Sequence, residues 1–78
     1  MGLKGLPLDS GRCHARVFES FGWILRRGGN HLVLTNPNVP RTVISIPNHD
    51  EVDRRLLKAE IRKAGLTDEE YRARYDQL

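Results

Sequence analysis

The sequence has little of what several common classes of small protein require. It contains one cysteine, Cys13, so an internal disulfide is impossible and no cysteine cluster is available for zinc. No apolar run approaches the roughly 18 residues that cross a bilayer. Residues 1–9 are too weakly apolar to predict a signal peptide. These absences argue against a disulfide scaffold and a membrane protein, and we expect a soluble protein of the cytoplasm.

Several motifs that carry chemistry are also missing. The sequence has no glycine-rich phosphate loop and no serine or cysteine in a nucleophile elbow. Asp50, Glu51 and Asp53 form an acidic run without the repeated spacing of metal ligands, and this run is more typical of the first turn of a helix. We therefore expect no metal and no cofactor.

Positive charge is concentrated in the first part of the chain. The formal net charge of +3 divides into +4 over residues 1–49 and −1 over residues 50–78. A polyanion such as a nucleic acid is therefore a reasonable partner for the first part, although many proteins with a surplus this small bind none.

The 78 residues are enough for one domain only. Apolar periodicity and turn residues predict a flexible N-terminal tail over residues 1–9 and a single domain over residues 10–78. Within that domain the predicted elements are a helix over 10–21, strands over 23–27, 31–35 and 41–46, a helix over 53–64 and a short helix over 68–76. The predicted fold is α+β, a two-layer arrangement of a three-stranded antiparallel sheet with helices on one face.

The predicted first helix has an apolar stripe and a clear start. Ser10 is a good N-cap, and Cys13, Val17 and Phe21 recur at helical spacing. His14 lies off this stripe, which predicts a solvated side chain. A similar start is predicted for the last helix, where the sequence "TDEE" forms a capping box.

Alternation along the strands predicts which side chains enter the core. Leu32 and Leu34 point to one face of the second strand, and His31 points to the other. Trp23 and Tyr71 could stack on nucleic-acid bases, but their positions at the starts of elements favour packing in the core.

Histidine is the residue type best suited to proton transfer near neutral pH, and two histidines are candidates. His31 follows the turn residues Gly28 and Gly29 and lies near Arg26 and Arg27 across a predicted hairpin. The glycines also suit a tight turn, so His31 could simply pack on a neighbour. His49 lies in the loop before the second helix, where it could cap backbone groups or face a groove.

The ordered segments "FGWILRRGGNHLVL", "RTVISIPNH" and "LLKAEIRKAGLTDEEY" resemble the HicA toxins, small ribonucleases of HicA–HicB toxin–antitoxin systems. Gly29, Asn30 and His31 match the G-x-H signature of that family. Pro47 and His49 match a strand that ends in proline with histidine two residues on. The resemblance covers about residues 10–75 and implies a fold similar to a double-stranded RNA-binding domain.

The resemblance implies an mRNA interferase that cleaves RNA without a metal, with His31 as the catalytic residue, and a HicB-like antitoxin that neutralises it. Arginine side chains could stabilise the negatively charged phosphorane that forms when a ribose 2′-hydroxyl attacks its own phosphate. The candidate RNA-binding residues are Arg26, Arg27, Asn30 and Arg41, with Gly28 and Gly29 as the structural turn and His49 as a candidate secondary site.

One segment departs from the family pattern. Members commonly have a Gly and a Thr before the second helix, in a lysine-rich loop, whereas this sequence reads "DEVDRRLL". Weaker attraction to RNA at this loop keeps two alternatives open. One is a non-catalytic RNA-binding module, and the other is a protein-interaction module on the same fold.

Overall fold

Residues 5–78 form three helices and three strands in the order that the sequence predicts. The computed structural model describes residues 5–78, so the part of the predicted tail at residues 1–4 lies outside the described residues. The elements are α1 (Gly11–Ser20), β1 (Ile24–Arg27), β2 (His31–Thr35), β3 (Val43–Pro47), α2 (Arg54–Lys63) and α3 (Asp68–Gln77). The strands form one antiparallel sheet in the order β1-β2-β3. The predicted α+β class and strand arrangement are confirmed.

The helices begin at side chains that satisfy free backbone amides. Ser10 accepts a hydrogen bond from the amide of Cys13, as its N-cap position predicts. The capping box of α3 is confirmed, because Thr67 accepts from the amide of Glu70 while the Glu70 carboxylate accepts from the amide of Thr67. These local bonds fix where α1 and α3 start.

The core lies between one face of the sheet and the helices. Leu32, Leu34, Ile44 and Ile46 are at most 1% exposed, which confirms the predicted inward face of β2 and β3. Helix α1 contacts all three strands, α2 contacts β3, and α3 packs on both α1 and α2. The other face of the sheet is left uncovered by helices. Among residues 5–78, no helix is both long and apolar enough to cross a membrane.

Helix α2 also covers the outer edge of β3. The Glu60 carboxylate accepts a hydrogen bond from the Ser45 amide at 2.8 Å, and Lys63 Nζ donates to the Val43 carbonyl at 3.0 Å. Lys63 Nζ lies 2.9 Å from the same Glu60 oxygen, so the nearly buried carboxylate has a cationic partner. These bonds occupy backbone groups that an edge strand would otherwise offer to another chain.

The segment before α1 is attached to the domain. Leu6 is 1% exposed and belongs to the core, and Arg54 Nε donates to its carbonyl at 2.7 Å. The loose tail that the sequence predicts for residues 1–9 therefore does not hold for Leu6 and the buried Pro7. A short apolar segment without periodicity gave no sign of this packing, because Leu6 docks as a single side chain. We propose that the domain extends at least from Leu6 to residue 78.

His14 is buried, and the prediction of a solvated side chain is wrong. Its exposed fraction is 0%, and its Nδ1 lies 2.7 Å from the Tyr71 hydroxyl. The part of α1 that carries His14 is covered by α3, whereas Cys13 of the predicted apolar stripe is exposed. Tyr71 and Trp23, at 0% and 3% exposed, pack in the core as predicted.

Protonation of His14 should destabilise the fold. Burial lowers the pKa of His14 below its usual 6.5, and the nearby Asp9 carboxylate opposes this shift only in part. Either neutral tautomer can form a hydrogen bond with Tyr71. A protonated ring would bury a positive charge with an N–H at Nε2, and this atom has no hydrogen-bond partner among the described residues.

We expect the free energy of unfolding to be fully maintained above the usual histidine pKa of 6.5 and to fall as the pH decreases below it, because the unfolded chain then binds the proton more readily. Urea unfolding at about pH 7.5 and about pH 5.5 measures this change. His14→Phe should reduce the difference, whereas the control His31→Ala should retain it. Equal pH dependence in His14→Phe and the native protein would contradict the assignment.

Candidate active site

The pairing of β2 with β3 determines where His31 lies. The register runs from Thr35 opposite Val43 to His31 opposite Pro47. Because side chains alternate between faces, His31 lies on the sheet face opposite to the buried Leu32. Its side chain is exposed at the end of the sheet.

The turn before His31 is held by Asn48, the residue after β3. The Asn48 side chain donates to the Gly29 carbonyl, and its amide donates to the Asn30 carbonyl, both at 2.9 Å. Gly29 has φ +92°, a left-handed conformation that glycine adopts readily, whereas Gly28 and Asn30 do not have positive φ. Of the three turn residues, Gly29 alone therefore supplies the positive φ that the turn requires.

The start of α1 is packed against the end of β3. The Gly11 amide donates to the His49 carbonyl at 2.9 Å. A Cβ atom at position 11 would lie 2.2 Å from the Pro47 carbonyl oxygen, so only glycine fits this contact. Pro47 and the backbone of His49 are therefore fixed against a rigid helix, while the His49 side chain is exposed.

A β-bulge brings two consecutive arginines toward the open face of the sheet. Leu25 pairs with Leu34 and Arg27 with Val33, so Arg26 is the extra residue in β1. Arg27 shares the face of its partner Val33, which is also the face of His31. Arg26 reaches the same face, because its Nε donates to the Thr35 hydroxyl at 3.0 Å.

The two arginines lie at different distances from His31 along β2. Arg27 is diagonal to His31 across the hairpin, a relation with a typical separation of roughly 7–8 Å. Arg26 is directed toward Thr35, at the far end of β2. The bulge therefore makes Arg27 the closer cation and directs Arg26 toward the far end of β2.

Arg41 is not brought together with His31. It lies in the loop between β2 and β3 with φ 71°, beyond the opposite end of β2. The four residue steps along β2 alone correspond to about 13 Å. Arg41 can therefore reach only a phosphate that lies away from one held at His31.

The acidic run has a structural role in one of its members. Asp53 is the N-cap of α2 and accepts a hydrogen bond from the Arg55 amide at 2.7 Å. Asp50 and Glu51 precede the helix and are exposed, so the predicted charged first turn is corrected to a loop and a cap. Within residues 5–78, no three His, Cys, Asp or Glu side chains are grouped so that they could hold a metal ion.

Two residues that organise this end of the sheet were missed from the sequence. Gly11 and Asn48 are not among the candidate residues that the sequence indicates. The only available signal was the composition, since a glycine inside a helix start and an asparagine beside a proline both suit close backbone contacts. Their partners at residues 29, 30, 47 and 49 depend on tertiary structure.

A comparison with protein-family models identifies a relationship to a known family. The family model described as the HicA toxin of bacterial toxin–antitoxin systems matches residues 11–66, which is more than half of the chain and includes the whole sheet and α2. No curated protein and no solved structure shows significant similarity to the chain.

Replacing Asn48 should loosen the turn that carries His31. Asn48→Ala removes the side-chain donor to Gly29 while the amide bond to Asn30 remains, so we expect greater nanosecond mobility of residues 28–31. The ¹⁵N heteronuclear NOE of these amides measures it. Asn38→Ala, in the loop between β2 and β3 at the opposite end of β2, is the matched control and should leave the turn unchanged. Unaltered NOE values in Asn48→Ala would refute the assigned role.

Proposed function

The chain belongs to the HicA family of toxins from bacterial toxin–antitoxin systems, and on this premise we propose that it is a metal-independent endoribonuclease that cleaves messenger RNA with His31 as a catalytic residue. Toxins of this family generally act as mRNA interferases. The single observation that carries the proposal is the exposed His31 at the end of an open sheet face, with Arg27 as its diagonal neighbour.

The proposed reaction needs few groups, and the open face offers them. A ribose 2′-hydroxyl attacks the adjacent phosphorus, so that an O2′–P bond forms while the P–O5′ bond breaks. A neutral imidazole can take the 2′-hydroxyl proton, and a protonated imidazole can give a proton to the leaving oxygen. The guanidinium of Arg27 can donate hydrogen bonds to the phosphate oxygens on which negative charge increases.

The other candidate residues have supporting tasks in the proposal. Arg26 can bind a neighbouring phosphate above the middle strand, and Arg41 can bind one farther along the RNA. Asn30 is exposed in the turn and can contact ribose or base. Positions 28 and 29 have open space where a side chain would be, which leaves room for the substrate at the turn.

The same face suits an inhibitory partner. Ile24 and Val43 remain 40% and 46% exposed. Both are paired with Thr35, so the two aliphatic side chains form a row across the open face, with the arginines nearby. Exposed aliphatic side chains contribute little to RNA binding, whereas they are typical of the centre of a protein interface. We therefore propose a HicB-like antitoxin that covers this apolar row and blocks access to His31.

Asp50 and Glu51 favour the second candidate, a module that binds RNA or protein without cleavage. They are exposed immediately after His49 and repel a phosphate backbone. An RNA-binding module would bind RNA in a salt-dependent manner and leave it intact under every condition, whereas a protein-interaction module would have no measurable affinity for RNA.

Replacing His31 should abolish cleavage without unfolding the protein. His31 is exposed, so His31→Ala should retain the native circular dichroism spectrum, while the loss of a proton-transfer group should lower kcat by about 10²–10⁴-fold. Cleavage of a transcribed RNA in EDTA measures the rate. A His31→Ala variant that cuts RNA as fast as the native protein would refute the proposed function.

The two arginines of the bulge provide a matched pair. Arg27→Ala should reduce kcat by roughly 10–100-fold because it removes donors near the reacting phosphate, in line with a lost charged hydrogen bond of about 1.5–3 kcal/mol. Arg26→Ala should mainly raise KM, because its guanidinium lies toward Thr35. Single-turnover kinetics on one RNA separates the two effects. Larger loss of kcat in Arg26→Ala than in Arg27→Ala would reverse the proposed roles.

A further inference from the structure

We propose that His49 is the second proton-transfer residue of this reaction, with His31 as the general base toward the 2′-hydroxyl and His49 as the general acid toward the leaving 5′-oxygen. This inference rests on the proposed ribonuclease function. His31 cannot accept the 2′-hydroxyl proton and protonate the leaving oxygen at the same time, so the second proton transfer is assigned to His49.

Backbone hydrogen bonds hold the segment that carries His49 beside the turn that carries His31. His31 is opposite Pro47 at the end of the β2–β3 ladder, and the bond from the Asn48 amide to the Asn30 carbonyl continues the pairing one step further. A regular continuation of the ladder by one further residue makes His49 the diagonal neighbour of His31, a relation with a typical separation of roughly 7–8 Å. Both side chains are exposed.

The backbone of His49 is fixed although its side chain is free. Its carbonyl accepts from the Gly11 amide at 2.9 Å, and Asn48, the preceding residue, bonds to both Gly29 and Asn30. The close packing of Gly11 on Pro47 holds the same segment against α1. An imidazole on a fixed backbone next to a second imidazole is suited to a reaction that requires defined positions of two groups.

The chemistry requires two proton transfers at two different oxygens. As the O2′–P bond forms, the 2′-hydroxyl gives its proton to the neutral imidazole of His31. As the P–O5′ bond breaks, the imidazolium of His49 gives a proton to O5′. The products are a 2′,3′-cyclic phosphate and a 5′-hydroxyl, and no oxidant or co-reactant is consumed. Each imidazole must come within about 2.6–3.2 Å of its oxygen, which two neighbours on one face can do across a single phosphate.

Of the three histidines, only these two are available for the pair. His14 is buried against Tyr71 on the other side of the molecule's sheet, in the helical layer. The charged residues around the pair are Arg27 on β1, Arg12 in the first turn of α1, and Asp50 and Glu51 in the loop after His49.

A substrate with an improved leaving group separates an acid from a residue that only binds RNA. Replacing the bridging 5′-oxygen at the cleavage site with sulfur gives a thiolate, which leaves without being protonated. We expect His49→Ala to lower kcat on the oxygen substrate by about 10²-fold or more and to cleave the sulfur substrate at close to the native rate. His31→Ala should be slow on both substrates, and Asn38→Ala should match the native protein on both.

The pH–rate profile provides the second readout. On the oxygen substrate the native profile should have two limbs, and His49→Ala should lose the limb at high pH, where an acid would be deprotonated. Equal losses on the oxygen and sulfur substrates, or no loss on either, would overturn the role of His49 while leaving that of His31 intact. Full activity of His31→Ala, or no cleavage of either substrate by the native protein, would instead overturn the proposed function and this inference with it.

Discussion

The pairing of β2 with β3 is the constraint on which the candidate site depends. Its register places His31 opposite Pro47, and Asn48 extends the ladder by bonding to the two carbonyls before His31. A slip of one residue would turn Leu32 outward and His31 into the core. The burial of the leucine and isoleucine side chains on these strands therefore stabilises the fold and determines which face carries the histidine.

The two faces of the sheet have different surroundings. The helices cover one face and also close the outer edge of β3, through Glu60 and Lys63 of α2. The other face keeps its polar and cationic side chains, and the bulge in β1 adds a second arginine that a regular strand would point away. Because the helices pack on the opposite face, the residues of the open face are free to contact a substrate or a partner.

The sequence was sufficient for the regular parts of the fold. Alternation along β2 and β3 and the caps at Ser10 and Thr67 are local signals, and the structure confirms them. The burial of His14 could not be predicted in this way, because it depends on Tyr71 of α3, which lies 57 residues farther along the chain. The same limit applies to Leu6, which docks on the core without any periodic pattern.

For the site, the sequence predicted candidate residues but not their arrangement. The bulge that separates Arg26 from Arg27 depends on cross-strand pairing, and the distance of Arg41 from His31 depends on which end of β2 each lies beside.

The most direct test of the central claim is a map of the changes in amide NMR chemical shifts on adding RNA with 2′-O-methyl groups, which binds without being cut. The account predicts shifts at Arg27, His31 and His49 on the open end of the sheet. Shifts confined to the helical face would contradict it.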